Sequence, residues 1–150
     1  MISGNEWFME YLMLPNDEKE VHKEFMLDSE KKAIVLDYER FKCSINLVAT
    51  KPEDLQSRYN EKVCVAEEVA LGFDNECVHI AHQLKSQKYI SNEVYDLVMQ
   101  IDKELDLLSL EHNKNNWTFQ AMNIDRRWIK ARELANEACK LLACVQRLDM

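Results

Sequence analysis

At 150 residues, 47% hydrophobic and 31% charged, the chain has globular rather than disordered composition and is long enough to bury one core. Its 2 Gly and 2 Pro are too few to punctuate hairpins and tight turns, which argues against an all-β fold. The formal net charge of −8 is concentrated early: residues 1–75 hold 9 Lys+Arg and 16 Asp+Glu, a balance of −7, so that half repels nucleic acid and attracts a basic partner.

In chain order, Ser3-Gly4-Asn5-Glu6 has the spacing of a capping box, and the first helix runs from it to Leu14, where Pro15 stops it. Trp7, Phe8, Met9, Tyr11, Leu12, Met13 and Leu14 make this helix apolar nearly all round, which implies burial on two sides or a surface kept for docking. Asn16 is placed to cap a second helix, with Asp17, Glu18 and Glu20 in its first turn and Val21 and Phe25 marking its inner face. Asp28-Ser29 fits either a new cap or an exposed stretch within a continuing helix. From Glu30 on, Ile34, Tyr38, Phe41, Ile45 and Val48 form the stripe of an amphipathic helix.

Thr50-Lys51-Pro52-Glu53 then combines capping-box spacing with a first-turn proline. The helix it predicts carries Leu55, Tyr59, Val63, Ala66 and Ala70 and is closed by Gly72 as a C-terminal cap. A short helix from Asn75 to about Gln87 turns Ile80 and Leu84 inward, and Ser91 or Asn92 caps the next, which bears Val94, Leu97, Val98, Ile101, Leu105 and Leu108. After a polar loop, Asn113 to Asn116, a long last segment carries Trp117, Phe119, Met122, Trp128, Ala131, Ala135, Ala138, Leu142, Val145 and Leu148 as one helix or two, with Asn123 as the candidate cap. The expected fold is all-α: one compact domain over 1–150, a bundle of six or seven mostly antiparallel helices. Residues 93–111 sum to −5 and residues 125–147 to +3, so these two helices are expected to be neighbours with complementary rims.

Cys43, Cys64, Cys77, Cys139 and Cys144 lie on apolar stretches without a Cys-x-x-Cys pair, and read as buried thiols in a reducing cytoplasm. The apolar N-terminal stretch carries Glu6 and Glu10 and no basic leader, so it reads as structure rather than a signal. No apolar run approaches the roughly 20 residues of a membrane span.

Catalytic patterns are thin. Glu76, His79 and His82 are the best-spaced metal candidates, because Glu-x-x-His puts both side chains on one helix face; the pattern is half of a bundle-type di-metal site, and the second half is missing. Glu93 and Asp96 give the Glu-x-x-Asp that helical nucleotide pyrophosphohydrolases use for magnesium, without its Glu-x-x-Glu companion, and read more simply as a solvated face. Cys77 lies two and five positions from His79 and His82, poor spacing for a proton relay. With Gly4 and Gly72 as the only glycines, phosphate loops of the P-loop or Rossmann kind are excluded, and no cofactor is expected. Arg126-Arg127-Trp128 with Lys130 and Arg132 is basic and aromatic, but Trp128 sits on the apolar stripe and reads as packing.

Eight carboxylates in the first thirty residues face only Lys19 and Lys23. Small, helical and acidic, with cytosolic thiols, the chain resembles the acidic immunity proteins and antitoxins with which bacteria neutralise basic nuclease toxins, including those of contact-dependent growth inhibition. The resemblance implies a non-enzymatic inhibitor of a basic toxin or nuclease domain, with no direct nucleic-acid or membrane partner. Its carboxylates would compete with nucleic-acid phosphates: Glu6, Glu10, Asp17, Glu18, Glu20 and Glu24, with Trp7 and Tyr11 as anchors. The alternatives are a helical metal-binding or nucleotide-hydrolysing enzyme centred on Glu76, His79 and His82, and a regulatory or scaffold subunit.

Overall fold

The computed structural model describes residues 6–59 and 64–147, with side chains as far as residue 142. Nine α-helices are formed among them: α1 (Glu6–Leu12), α2 (Asn16–Phe25), α3 (Ser29–Ala49), α4 (Pro52–Gln56), α5 (Val65–Phe73), α6 (His79–Ser86), α7 (Asn92–Leu110), α8 (Phe119–Ile124) and α9 (Arg126–Arg147). A π-helical turn, Asp74–Val78, joins α5 to α6, and a 3-10 turn, Lys114–Trp117, leads into α8. The fold is all-α, and among the described residues no helix is long and apolar enough to cross a membrane.

The core is organised by α9, which packs against both α3 and α7. Its inner stripe of Trp128, Ala131, Leu134, Ala135, Ala138 and Leu142 is buried, and the three alanines let the neighbouring helices approach closely. On α7 all six apolar residues read from the sequence are buried, and Ser91 Oγ accepts from Val94 N–H at 3.1 Å as the cap. On α3 the stripe is Val35, Tyr38, Phe41, Ile45 and Val48, with Ile34 only partly buried. Asp28 opens α3 as its cap, its carboxylate accepting from Lys31 N–H at 2.9 Å, so α2 and α3 are separate helices.

Several local expectations are corrected. The helix foreseen from Pro52 to Gly72 is two: α4 stops at Gln56 and α5 starts at Val65, while Val63 lies outside the described residues, as do Ser3, Gly4 and Asn5 of the N-terminal capping box. Thr50 does not cap α4, because its hydroxyl donates back to Asn46 O at 2.6 Å and Lys51 takes the cap position before Pro52. Gly72 is no cap either: the helix runs past it into the π turn, where His79 N–H reaches back to Asp74 O. The wider turn keeps Phe73, Cys77, Ala81 and Leu84 pointing inward along one continuous rod. The left-handed positions that follow α6 and α7 are held instead by Lys88 (φ 64°) and His112 (φ 49°), where glycine is usual. At the second helix Asn16 makes no cap bond; Pro15 holds that position, and its carbonyl accepts from Glu18 and Lys19 N–H. The last segment breaks at Asp125 rather than at Asn123, whose amide bonds back to Phe119 O. Thr118 caps α8, and Asp125 accepts from Arg127 N–H at 2.9 Å at the start of α9. Of the foreseen stripe Phe119 is largely exposed, and the side chain of Val145 and all of Leu148 lie outside the described residues.

The α7 and α9 helices are neighbours as expected, but their charge match is concentrated in one residue. Arg127 reaches both carboxylate oxygens of Glu111, at 2.6 and 3.0 Å, and Asp125 at 2.8 and 3.0 Å. That pairing holds the Glu111 and Asp125 carboxyls below their usual range. Beneath it Asn116 is buried: its side-chain amide donates to Leu108 O at 3.1 Å and Glu111 Oε1 at 2.9 Å, and its backbone carbonyl accepts from Trp128 Nε1 at 2.8 Å. One asparagine thus ties the C-terminal end of α7 to the first turn of α9.

The thiols divide. Cys77 is buried, Cys139 is partly buried and donates to Asn46 Oδ1 at 3.0 Å, but Cys43 and Cys64 are exposed, against the expectation of uniformly buried thiols. Cys43 lies on the face of α3 opposite its buried stripe, and Cys64 precedes α5 as its N-cap residue. Burial raises the Cys77 thiol pKa, with Asp102 adding to the effect.

Two outcomes follow. In pulsed alkylation read by mass spectrometry, Cys43 and Cys64 should label promptly and Cys77 only on unfolding; labelling of Cys77 at the rate of Cys43 would contradict its placement. Asn116→Ala should cost about 1–3 kcal/mol, because it strands Leu108 O and loosens Glu111, seen as a lower denaturant midpoint at unchanged slope.

Candidate functional site

Helix α1 contributes less surface than its composition suggests. Phe8, Tyr11 and Leu12 enter the core, with Phe8 meeting Tyr38 and Tyr89 edge-on at 4.9 and 4.8 Å. Trp7 lies half-buried beside Phe8 and Tyr89, with the Lys31 ammonium 5.3 Å over its ring. Tyr11 is only 3% exposed and donates to Glu39 Oε1 at 3.3 Å; burial first, then Glu39, push its phenol up to about 12. Tyr11 is therefore a core residue and not a free anchor, and Trp7 is largely committed to intramolecular contacts. Glu6 and Glu10 are exposed on the outer side.

Helix α2 is mounted the wrong way round for an amphipathic helix. Lys19, His22 and Lys23, one helical row, are its partly covered residues, and no residue of α2 is fully buried. Lys23 bonds Glu39 of α3 at 3.3 Å and Glu20 at 3.2 Å, so a small polar cluster of Lys23, Glu39 and Tyr11 attaches α2 to the body. Val21 and Phe25, expected on the inner face, are instead 58% and 73% exposed, and Met26 just beyond the helix is 70% exposed. Asp17, Glu18, Glu20 and Glu24 of the same helix are all exposed, with Glu20 bonded to Lys23. A shallow hollow of about 350 Å³ runs along this face, lined by Leu14, Asp17, Glu18, Val21, His22 and Met26. Four of the sequence-predicted carboxylates thus share one helix with an exposed apolar strip.

A second concavity of about 390 Å³ lies between α5 with its π turn and α7. Phe73, Leu105 and Trp117 contribute its apolar lining with Leu71, and Glu67, Asp74, Asp102 and Asp106 its carboxylates. Partial burial, then the charges of Asp106 and Asp74, raise the Asp102 carboxyl above its usual pKa. Among the described residues no lysine or arginine forms an ion pair with any of the four.

The metal-site alternative is not assembled. Glu76, in the π turn, faces Arg40 at 3.8 Å; His82 lies 2.9 Å from the Tyr95 hydroxyl; His79 is exposed. Among the described residues no three His, Cys, Asp or Glu side chains gather at metal-binding distance. Glu93 and Asp96 are both exposed on α7.

Sequence reasoning located the α2 carboxylates but turned the helix through half a revolution, and it missed the α5–α7 groove. The signal for the first was the row of Lys19, His22 and Lys23, which could have been set against Glu39. For the second it was Asp102, Asp106 and Ser109, a polar row adjoining the apolar stripe of α7. Compared with models of protein families, with curated proteins and with solved structures, the chain matches none of them.

Proposed function

We propose that the chain is a protein-binding inhibitor of the immunity or antitoxin kind, which neutralises a basic toxin or nuclease domain by docking it on the outer face of α2. It acts by occupying the partner's surface, not by catalysis, in a reducing bacterial cytoplasm. One observation carries the reading: α2 turns its basic row inward and leaves Val21, Phe25 and Met26 in solvent on a helix that also exposes Asp17, Glu18, Glu20 and Glu24. Large apolar and aromatic side chains grouped on a surface, with charge around them, have the composition of an interface core and rim. The sign of the rim selects a basic partner, and the same sign disfavours a second copy of the chain or a nucleic acid.

The division of labour is physical. Asp17, Glu18, Glu20 and Glu24 steer encounter, and Phe25, Met26 and Val21 hold the complex once formed. Tyr11, bonded to Glu39 beside Lys23, supports α2 from beneath rather than touching the partner, and Trp7 packs away from α2 on Phe8 and Tyr89.

The test uses co-expression with nuclease toxins from neighbouring reading frames, and stopped-flow binding to the one that is neutralised. Reversing Asp17, Glu18 and Glu20 to Lys should slow association by roughly tenfold or more at low salt, and the parent's rate should fall steeply as salt rises. Phe25→Ser should instead raise the dissociation rate by about tenfold while association changes little. If the triple reversal binds and protects as the parent does at low salt, the α2 surface is not the inhibitory site.

A further inference from the structure

We infer that the groove between α5 and α7 is a second docking site, shaped for a basic amphipathic helix from a partner protein. It stands apart from α2 and does not depend on the inhibitor reading.

Phe73 and Leu105 are packed into the core, while Leu71 on the same lining is 57% exposed, so apolar surface continues from the floor out onto the wall. Carboxylates stand on both sides: Glu67 and Asp74 along α5 and its π turn, Asp102 and Asp106 one helical turn apart on α7. The cations of α9 that complement α7 in the sequence do not reach them. Arg127 is engaged with Glu111 and Asp125, and Arg132 donates to Met122 O at 3.0 Å. Partial burial first, then the charges of Asp106 and Asp74, raise the Asp102 carboxyl above its usual range, and a cationic occupant would stabilise its charged form.

Charge complementarity and the apolar floor together define that occupant. A second copy of the chain would bring the same sign of charge. A nucleic acid is repelled for the same reason. A polyamine would answer the carboxylates but leave Leu71 and Trp117 uncovered. A helix with Leu- or Phe-like side chains on one face and Lys or Arg on either flank satisfies both, in the groove-binding mode in which side chains at i, i+3, i+4 and i+7 reach one surface.

The probe is a fluorescein-labelled peptide of Leu and Lys in helical spacing, about 14 residues long. It is titrated by anisotropy against the full chain, with backbone amide NMR to locate it. Shifts should map to residues 67–74 and 102–109. Asp102→Asn with Asp106→Asn should weaken binding about tenfold, and Glu67→Gln with Asp74→Asn, from the opposite wall, should independently do the same with the helical content of both variants unchanged. Leu71→Ala should weaken it too. The proposal is overturned if the shifts map to α2 alone, if both neutralised pairs bind as the parent does, or if spermine binds as tightly as the peptide.

Discussion

The alanine seam of α9 is the constraint on which the rest of this molecule depends. Ala131, Ala135 and Ala138 have no exposed surface, and at that spacing they let α3 and α7 close on the same helix from two sides. The large residues then come from the partners: Tyr38, Phe41 and Ile45 from α3, Leu97, Ile101, Leu105 and Leu108 from α7. A bulkier residue in the seam would force one partner outward and would be felt by the whole core. At its N-terminal end the seam is locked by Trp128, whose indole bonds Asn116 and meets Trp117 edge-on at 6.0 Å, so the 3-10 turn is tied to the three-helix core.

Because that core closes on α3, α7 and α9, α2 is not needed to cover it. The consequence is visible in its attachment: a lysine, a glutamate and a tyrosine, with partly exposed ionic bonds that contribute little net stability. A helix held so lightly is free to carry a surface chosen for something other than folding. Elements with few buried apolar contacts open at lower free energy than the core, and binding surfaces are drawn from that end of the range. The apolar strip of Val21, Phe25 and Met26 therefore lies on a helix with no fully buried residue of its own.

The parts of the fold legible in the sequence are those whose face is fixed by a long apolar stripe. The inner face of α7 was readable in full, with Ser91 one of the two caps considered, and that of α3 nearly so, because more than five turns of period average out local ambiguity. α2 was misread because ten residues with only two apolar side chains, Val21 and Phe25, cannot reveal which face is inward when the inward face is polar. Its partner, Glu39, is distant in sequence, and no local pattern announces it. The merging of α4 and α5 and the cap assigned to Gly72 have a related cause: the glycine marked a plausible end, whereas burial of Phe73 and Cys77 against α3 carries the rod through a π turn instead. Tyr11 illustrates the same limit for the site. Its chemistry fits an interface anchor, and only the tertiary contact with Glu39 shows it to be inside.

Exposed Phe25, Met26 and Leu71 would ordinarily drive self-association, since contiguous apolar surface without cover is an aggregation hazard. Here each lies on or beside a surface carrying several carboxylates with few compensating cations, and the chain as a whole carries −8. Two copies brought face to face at either surface must desolvate apolar groups and also press like charges together. The first gain is short-ranged, whereas repulsion acts out to a Debye length of about 8 Å at physiological salt, so approach is opposed before contact is made. The same carboxylates change sign of effect for a basic partner, attracting it over the distance at which they repel a copy. On the proposed reading, resistance to self-association and selectivity for a basic partner are one electrostatic arrangement, and neutralising the α2 carboxylates without covering Phe25 and Met26 should weaken both together.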